Sequence, residues 1–200
     1  MSNPHERNIE VYDLQKKTEL NPIKLTMRCF GIDSYNDQIV VLLYENGQGG
    51  HIDFMDKNGF RSDSVDLNQG KLKMHAPRHL SFCKHHKLVC VSDEEKGIVK
   101  AFHLHGRLVW EIKVKSPGHL AVRYQSFLVA RKFTKSIDLL MMDGRKEGDV
   151  ISTDHDIKCP EVVCTNSDCN FILIVDSSTE ANVFRVSHSN SNSGCSCAIL

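Results

Sequence analysis

The sequence predicts an all-β fold: a β-propeller of four-stranded blades, with about four blades present, as a small or partial propeller. Two observations carry this. Four of the five prolines recur at Pro22, Pro77, Pro117 and Pro160, at gaps of 55, 40 and 43 residues, and four-stranded blades repeat at about 40–45 residues. After each of the last three prolines the same order of short β-branched runs and turn residues returns, while no long window keeps the i, i+3, i+4 spacing of a helix.

The elements follow in order. Ile9-Glu-Val-Tyr-Asp-Leu14 reads as an isolated third strand with residues 16–20 as a fourth, so strands of another blade are expected at 8–20. The first full unit, 22–76, is long. It carries a polar insert, Glu45-Asn-Gly-Gln-Gly-Gly50, and a loop, Asn68-Gln-Gly-Lys-Leu-Lys-Met-His75, after its last strand. The second, 77–116, runs Pro77-Arg-His-Leu-Ser-Phe82, Lys87-Leu-Val-Cys-Val-Ser-Asp93, Gly97-Ile-Val-Lys-Ala-Phe-His103 and Arg107-Leu-Val-Trp-Glu-Ile-Lys113. The third, 117–159, repeats this through Ser126-Phe-Leu-Val-Ala-Arg131, Ser136-Ile-Asp-Leu-Leu-Met-Met142 and Asp149-Val-Ile-Ser152. The fourth, 160–187, holds Pro160-Glu-Val-Val-Cys-Thr165, Asn170-Phe-Ile-Leu-Ile-Val-Asp176 and Ala181-Asn-Val-Phe-Arg-Val186, and there the pattern stops. Residues 1–187 are thus expected as propeller and 188–200 as a flexible tail.

Local chemistry supports each strand. Proline suits a strand's first residue, where a missing N–H costs least. The second strands are almost continuously apolar, as sheets covered on both faces require. The third strands mix polar and apolar residues and are expected further out. Gly59, Gly106 and Gly144 fall between third and fourth strands, where a tight hairpin needs positive φ.

The stretch Val89-Cys-Val-Ser-Asp-Glu-Glu-Lys-Gly-Ile-Val-Lys-Ala-Phe-His-Leu-His-Gly-Arg-Leu108 resembles an NHL repeat: an apolar strand ending in Asp, a polar turn, an apolar strand ending near Phe, then a turn with Gly. Ile172-Leu-Ile-Val-Asp176 with Val183-Phe184 repeats its first half. Two departures stand out. Glu94-Glu-Lys-Gly97 replaces the family's Asn-His-Arg, and the third unit has Arg131-Lys132 in place of the Asp. The resemblance implies the recognition domain that ends tripartite-motif proteins. Such a domain binds substrate protein or RNA, while a separate zinc domain, absent here, performs ubiquitin transfer. NHL rings usually have six blades. This chain is either a piece of a larger ring or closes with four, its N-terminal strands completing the last blade.

Composition excludes several classes. Lys plus Arg equals Asp plus Glu at 25 each, so no global charge drives the chain to nucleic acid or membrane. The N-terminus has no apolar core of a secretory signal, which makes a cytoplasmic location the expectation. No G-x-S-x-G, P-loop or H-E-x-x-H occurs, so no enzyme activity and no cofactor are expected. A calcium-dependent propeller lactonase is the remaining catalytic alternative.

Basic residues gather in loops expected on one rim: Lys71, Lys73 and Arg78 before the second unit, Lys115 before the third, and Arg131, Lys132 and Lys135 within it. This is the candidate surface for a protein partner first, and for RNA phosphates second, with His75 and Phe133 for stacking. Asp93, Glu94 and Glu95 share the rim and oppose phosphate. Cys159, Cys164 and Cys169, with His155, lack zinc-knuckle spacing and read as buried thiols; no metal is expected. His85-His86 reads as a surface turn. Cys197-Ala-Ile-Leu200 is a C-a-a-X box whose final Leu favours geranylgeranyl. Cys195 is a second acylation candidate, because one lipid anchors only marginally, and a lipid tether to membrane is the corresponding expectation.

Overall fold

The structure is a computed structural model that describes residues 2–3, 7–35, 37–46, 48–152, 155, 157–166, 168–177, 181–187 and 196–199. The N-terminal segment supplies β1 (Ser2–Asn3), β2 (Asn8–Ile9), β3 (Tyr12–Asp13), β4 (Thr18–Glu19) and β5 (Ile23–Lys24), ordered β1-β2-β5 with β3-β4 beside them. Four antiparallel four-stranded sheets follow in chain order. The first is β6 (Arg28–Tyr35), β7 (Gln38–Glu45), β8 (Gly49–Asp56) and β9 (Arg61–Asp66). The second is β10 (Pro77–Cys83), β11 (Leu88–Asp93), β12 (Ile98–His103) and β13 (Leu108–Lys113). The third is β14 (Pro117–Arg123), β15 (Ser126–Arg131), β16 (Ser136–Met141) and β17 (Lys146–Ile151). The fourth is β18 (Pro160–Thr165), β19 (Phe171–Asp176), β20 (Ala181–Ser187) and β21 (Ser196–Ile199).

The sheets stack face to face and their first strands adjoin, β6 on β10, β10 on β14 and β14 on β18. Cores therefore lie between blades. Val40, Leu42 and Phe54 meet Leu80, Val91 and Phe102. Cys90 and Ala101 meet Phe127, Val129 and Leu140. Leu128 and Leu139 meet Ile172, Ile174 and Phe184. Each Val, Leu, Ile or Phe among them contributes about 1.5–3 kcal/mol by leaving water. Ile9 and Ile23 cap the first blade's other face against Val41 and Leu43. Pairwise stacking explains why β11 is buried at every position: its two faces serve two different interfaces.

Proline opens β10, β14 and β18, as the spacing predicts. Pro22 does not open a blade. It precedes β5 in the N-terminal sheet, and the first blade's inner strand begins at Arg28. By register Cys29 stands where the other blades carry proline, which accounts for the long first gap. The third strands are not the outer ones either. β12 and β16 are almost wholly buried, and β13 carries the alternation of a solvent edge. Lys100, on β12, is buried because its ammonium donates to the carbonyls of Lys71 and Lys73 at 2.7 and 3.2 Å and pairs with Glu111 at 3.0 Å. Within the tail read as flexible, Ser196–Ile199 is a strand, β21, paired with β20 at Val186↔Cys197. Cys195 lies outside the described residues.

Candidate functional site

The inner strands build the candidate site through a shared irregularity. Each carries a register shift near its start, between Cys29 and Gly31, Pro77 and His79, Pro117 and Leu120, and Pro160 and Val162. A bulge re-aims the extra side chain away from the ladder. In the first two blades those side chains are Phe30 and Arg78, and they meet: the Arg78 guanidinium lies 4.9 Å from the Phe30 ring centre. Tyr44 packs edge-on against Phe30 with ring centres 6.0 Å apart, and its hydroxyl donates to the His75 carbonyl.

Around this pair a cavity of about 750 Å³ opens, lined by the cations Arg28, Arg78 and Lys132 and the carboxylates Glu45 and Glu94. These residues come from starts of first strands, ends of second strands or the loops just after them, so the cavity sits on the face of the loops that join blades. The Arg7 Nη2 donates to both Glu45 carboxylate oxygens, at 2.7 and 2.9 Å. Burial, then the charges of His119, Lys132 and Arg78, push His79 down to about 3. His79 and His119 occupy matching places on β10 and β14, ring centres 5.2 Å apart, and burial lowers His119 as well.

Of the predicted rim residues, the structure brings Arg78 and Lys132 into this cavity. Lys71, Lys73, Lys115 and Lys135 are exposed and do not line it. Arg131 is committed elsewhere. It donates to the buried Asp138 at 3.1 Å and to the Lys115 carbonyl at 3.4 Å. Arg28, Phe30, Tyr44 and His79 were not singled out from sequence; only Phe30 holds the bulge position one residue past the proline place, and the other three carry no signal of their own. Phe133, next to Lys132, projects into solvent.

A second concavity, about 590 Å³, runs along the inner strands and is lined by Asp33, Ser81, His119, Cys164 and Thr165. Asp33 spans two blades there, accepting from the Phe82 N–H at 2.7 Å and the Ser81 hydroxyl at 3.3 Å. The three late cysteines are not a buried set. Cys164 is exposed, Cys159 and Cys169 are half-buried, and among the described residues no three metal-ligating side chains converge. His85 and His86 are exposed in the turn between β10 and β11.

No protein-family model matches this chain, and no curated protein matches it in sequence. Solved structures do match in shape. One, described as a crystal structure of a nidogen/laminin complex, superposes with a TM-score of 0.70 at 10% identity, covering 90% of this chain and 71% of that one. Another, hydrazine synthase of Kuenenia stuttgartiensis, gives a TM-score of 0.69 at 14% identity, covering 94% of this chain and 67% of that one. Both neighbours contain β-propellers, and the chain has that fold. NHL character is not distinguished from other propeller types by these likenesses.

Proposed function

We propose that this propeller is a non-catalytic platform that recognises a protein partner through its loop-bearing face, with the cavity around Arg28, Arg78 and Lys132 as the centre of contact. One observation carries the reading: a guanidinium already docked on an aromatic ring, walled by two further cations and open to solvent. Arginine and aromatic anchors dominate protein interfaces because they bury large area with little rotamer loss. The exposed Phe133 beside Lys132 offers a second anchor. An acidic segment of a partner suits this charge. The nidogen/laminin neighbour is, by its description, in complex with another protein. In the tripartite-motif arrangement that the sequence resembles, such a face selects the substrate of a separate ligase domain.

The test is comparative capture. Wild-type protein and an R78E/K132E variant are immobilised, and proteins retained from cell extract are identified by mass spectrometry. A set held by wild type and lost by the variant is expected. An identical set from both would overturn the reading. RNA is the second reading, favoured by Lys132, Lys135 and Phe133 and opposed by Glu45 and Glu94. Its affinity for a single-stranded oligonucleotide would fall steeply with salt. Calcium uptake measured by calorimetry would favour the lactonase alternative instead. A lipid tether at Cys197 is tested by the membrane fraction of wild type against Cys197→Ser.

A further inference from the structure

We propose that the cavity lined by Arg28, Arg78 and Lys132 receives the phosphate monoester of a phosphorylated serine or threonine on the partner protein. This rests on the protein-partner reading above and names the group that the partner presents. The three cations come from three blades: Arg28 opens β6, Arg78 is the bulged residue of β10, and Lys132 follows β15. Among the described residues none of their side chains has a hydrogen bond or ion pair, and Arg78 has the Phe30 ring alone. Other arginines are spent: Arg7, Arg61, Arg131 and Arg145 each pair with a carboxylate at 2.7–3.6 Å. The charges of Lys132 and Arg78 both bear on His79, so the two cations flank one point of the cavity. The His79 ring touches His119 and, among the described residues, has no hydrogen-bond partner. A neutral imidazole there offers one further N–H donor.

Charge and geometry select the ligand. Of the two carboxylates lining the cavity, Glu45 is held by Arg7, whereas Glu94 has no partner among the described residues. Three cations against Glu94 leave a formal excess of two charges, which matches a phosphate monoester above its second ionisation near about pH 6. A side-chain carboxylate brings one charge and two acceptor atoms. The monoester brings three terminal oxygens, enough for a contact to each cation. The Phe30 ring holds the Arg78 guanidinium in place, so its planar fork is preorganised for two oxygens. Nucleic acid presents one charge per phosphate in a row, whereas these cations converge on one cavity that two carboxylates also line.

The experiment is titration of the full chain, by calorimetry and NMR at about pH 7.5 where the monoester is a dianion. The probes are capped phosphoserine, capped serine, capped glutamate and a single-stranded RNA oligonucleotide. Phosphoserine should bind with a dissociation constant of about 1 mM, about tenfold more tightly than glutamate, and should move the His79 ring resonances, assigned through His79→Gln. Arg78→Gln and Lys132→Gln should each weaken it about tenfold with an unchanged circular dichroism spectrum. Arg78→Lys should not restore it, because the fork is lost, and Lys57→Gln, in the exposed β8–β9 turn, should change nothing. Equal affinity for phosphoserine and glutamate overturns the proposal, as does no binding or binding indifferent to Arg78. An oligonucleotide that binds more tightly and displaces phosphoserine assigns the cavity to nucleic acid and overturns it too. A second arm separates this inference from the reading beneath it: phosphatase-treated extract is passed over wild type and R78E/K132E. The set retained by wild type should be lost on phosphatase treatment. A set that survives phosphatase yet is lost by the variant keeps the protein partner and removes the phosphate, whereas identical sets from both chains remove both.

Discussion

At the end of the second strand in each of the last three blades one side chain ties the blade to the linker before it. Asp93, fully buried, accepts the His75 N–H at 2.6 Å and the Lys96 N–H at 3.0 Å. Asp176 accepts from Lys158 and Cys159 at 2.7 and 2.9 Å. The third blade inverts the polarity: Arg131 stands at that place and donates to the Lys115 carbonyl. The linker presents a carbonyl there instead of an N–H, so the departure from the NHL pattern keeps the function of the latch. Asp93→Ala orphans buried donors and should cost about 1–3 kcal/mol, with Asp93→Asn milder, as read from urea midpoints. Arg131→Ala should cost about 1–3 kcal/mol by removing one hydrogen-bond donor from the buried Asp138, which keeps Lys146 at 2.9 Å. A binding defect in an Arg131 variant therefore reports folding before it reports contact.

The same residues set the response to acid. Desolvation opposes ionisation of Asp176, but the N–H groups of Lys158 and Cys159, with Ser177, outweigh it and hold the carboxyl below its usual range. Its contribution is present above the ordinary Asp value and is lost as pH falls through the folded one. His79 acts earlier. Its folded value of about 3 lies below the ordinary 6.5, so the fold excludes a proton that the unfolded chain accepts. Stability is full above pH 6.5 and declines from there toward 3, each unit of depression being worth about 1.4 kcal/mol. Urea midpoints measured between pH 7 and pH 4 should fall for wild type and stay flatter for His79→Gln. Equal slopes would show that the ring is not shielded as the packing indicates.

Among elements, the hairpin from third to fourth strand is tightly constrained. Gly144 has φ +87°, and a Cβ there would stand 2.8 Å from Trp110 Cγ on the preceding blade's β13. Gly59 and Gly106 approach Ile23 and Val65 in the same way. These turns need glycine for backbone hand and for contact between blades. Gly144→Ala should cost about 1–2 kcal/mol for the left-handed backbone alone and more for the collision, lowering the melting temperature clearly. Gly70→Ala, at φ +50° with open space around it, should lose only the backbone share. Positive φ was legible from the Asp143-Gly144 turn signal, whereas the Trp110 contact was not, because it joins units whose packing the sequence does not state. The exposure of the third strands was misjudged for a related reason. Lys100 looks like a surface residue until the carbonyls of Lys71 and Lys73 are folded over it.

Across the whole molecule, what the sequence carries is periodic and local, and what it hides is relational. Proline spacing and apolar second strands were enough for four blades. They could not show that Pro22 lies outside the series, since a lone strand pair has no neighbour to set its register. The rim cations were visible as a composition bias, but only packing separates Arg78 and Lys132, which share a cavity, from Arg131, which is spent on Asp138. The same separation into pairwise interfaces governs how the molecule should come apart. Each core joins only two adjacent sheets, so stability should behave as a sum of blades and nearest-neighbour terms. Removing residues 188–200 deletes β21 and bares the edge of β20. Amide exchange should then accelerate in β19 and β20, where Ile172, Ile174 and Phe184 reside, while Val89 and Val91 in β11 keep their protection. A uniform loss across all four sheets would instead mean that the arc unfolds as one unit, with the fourth blade's edge as strong a determinant as its cores.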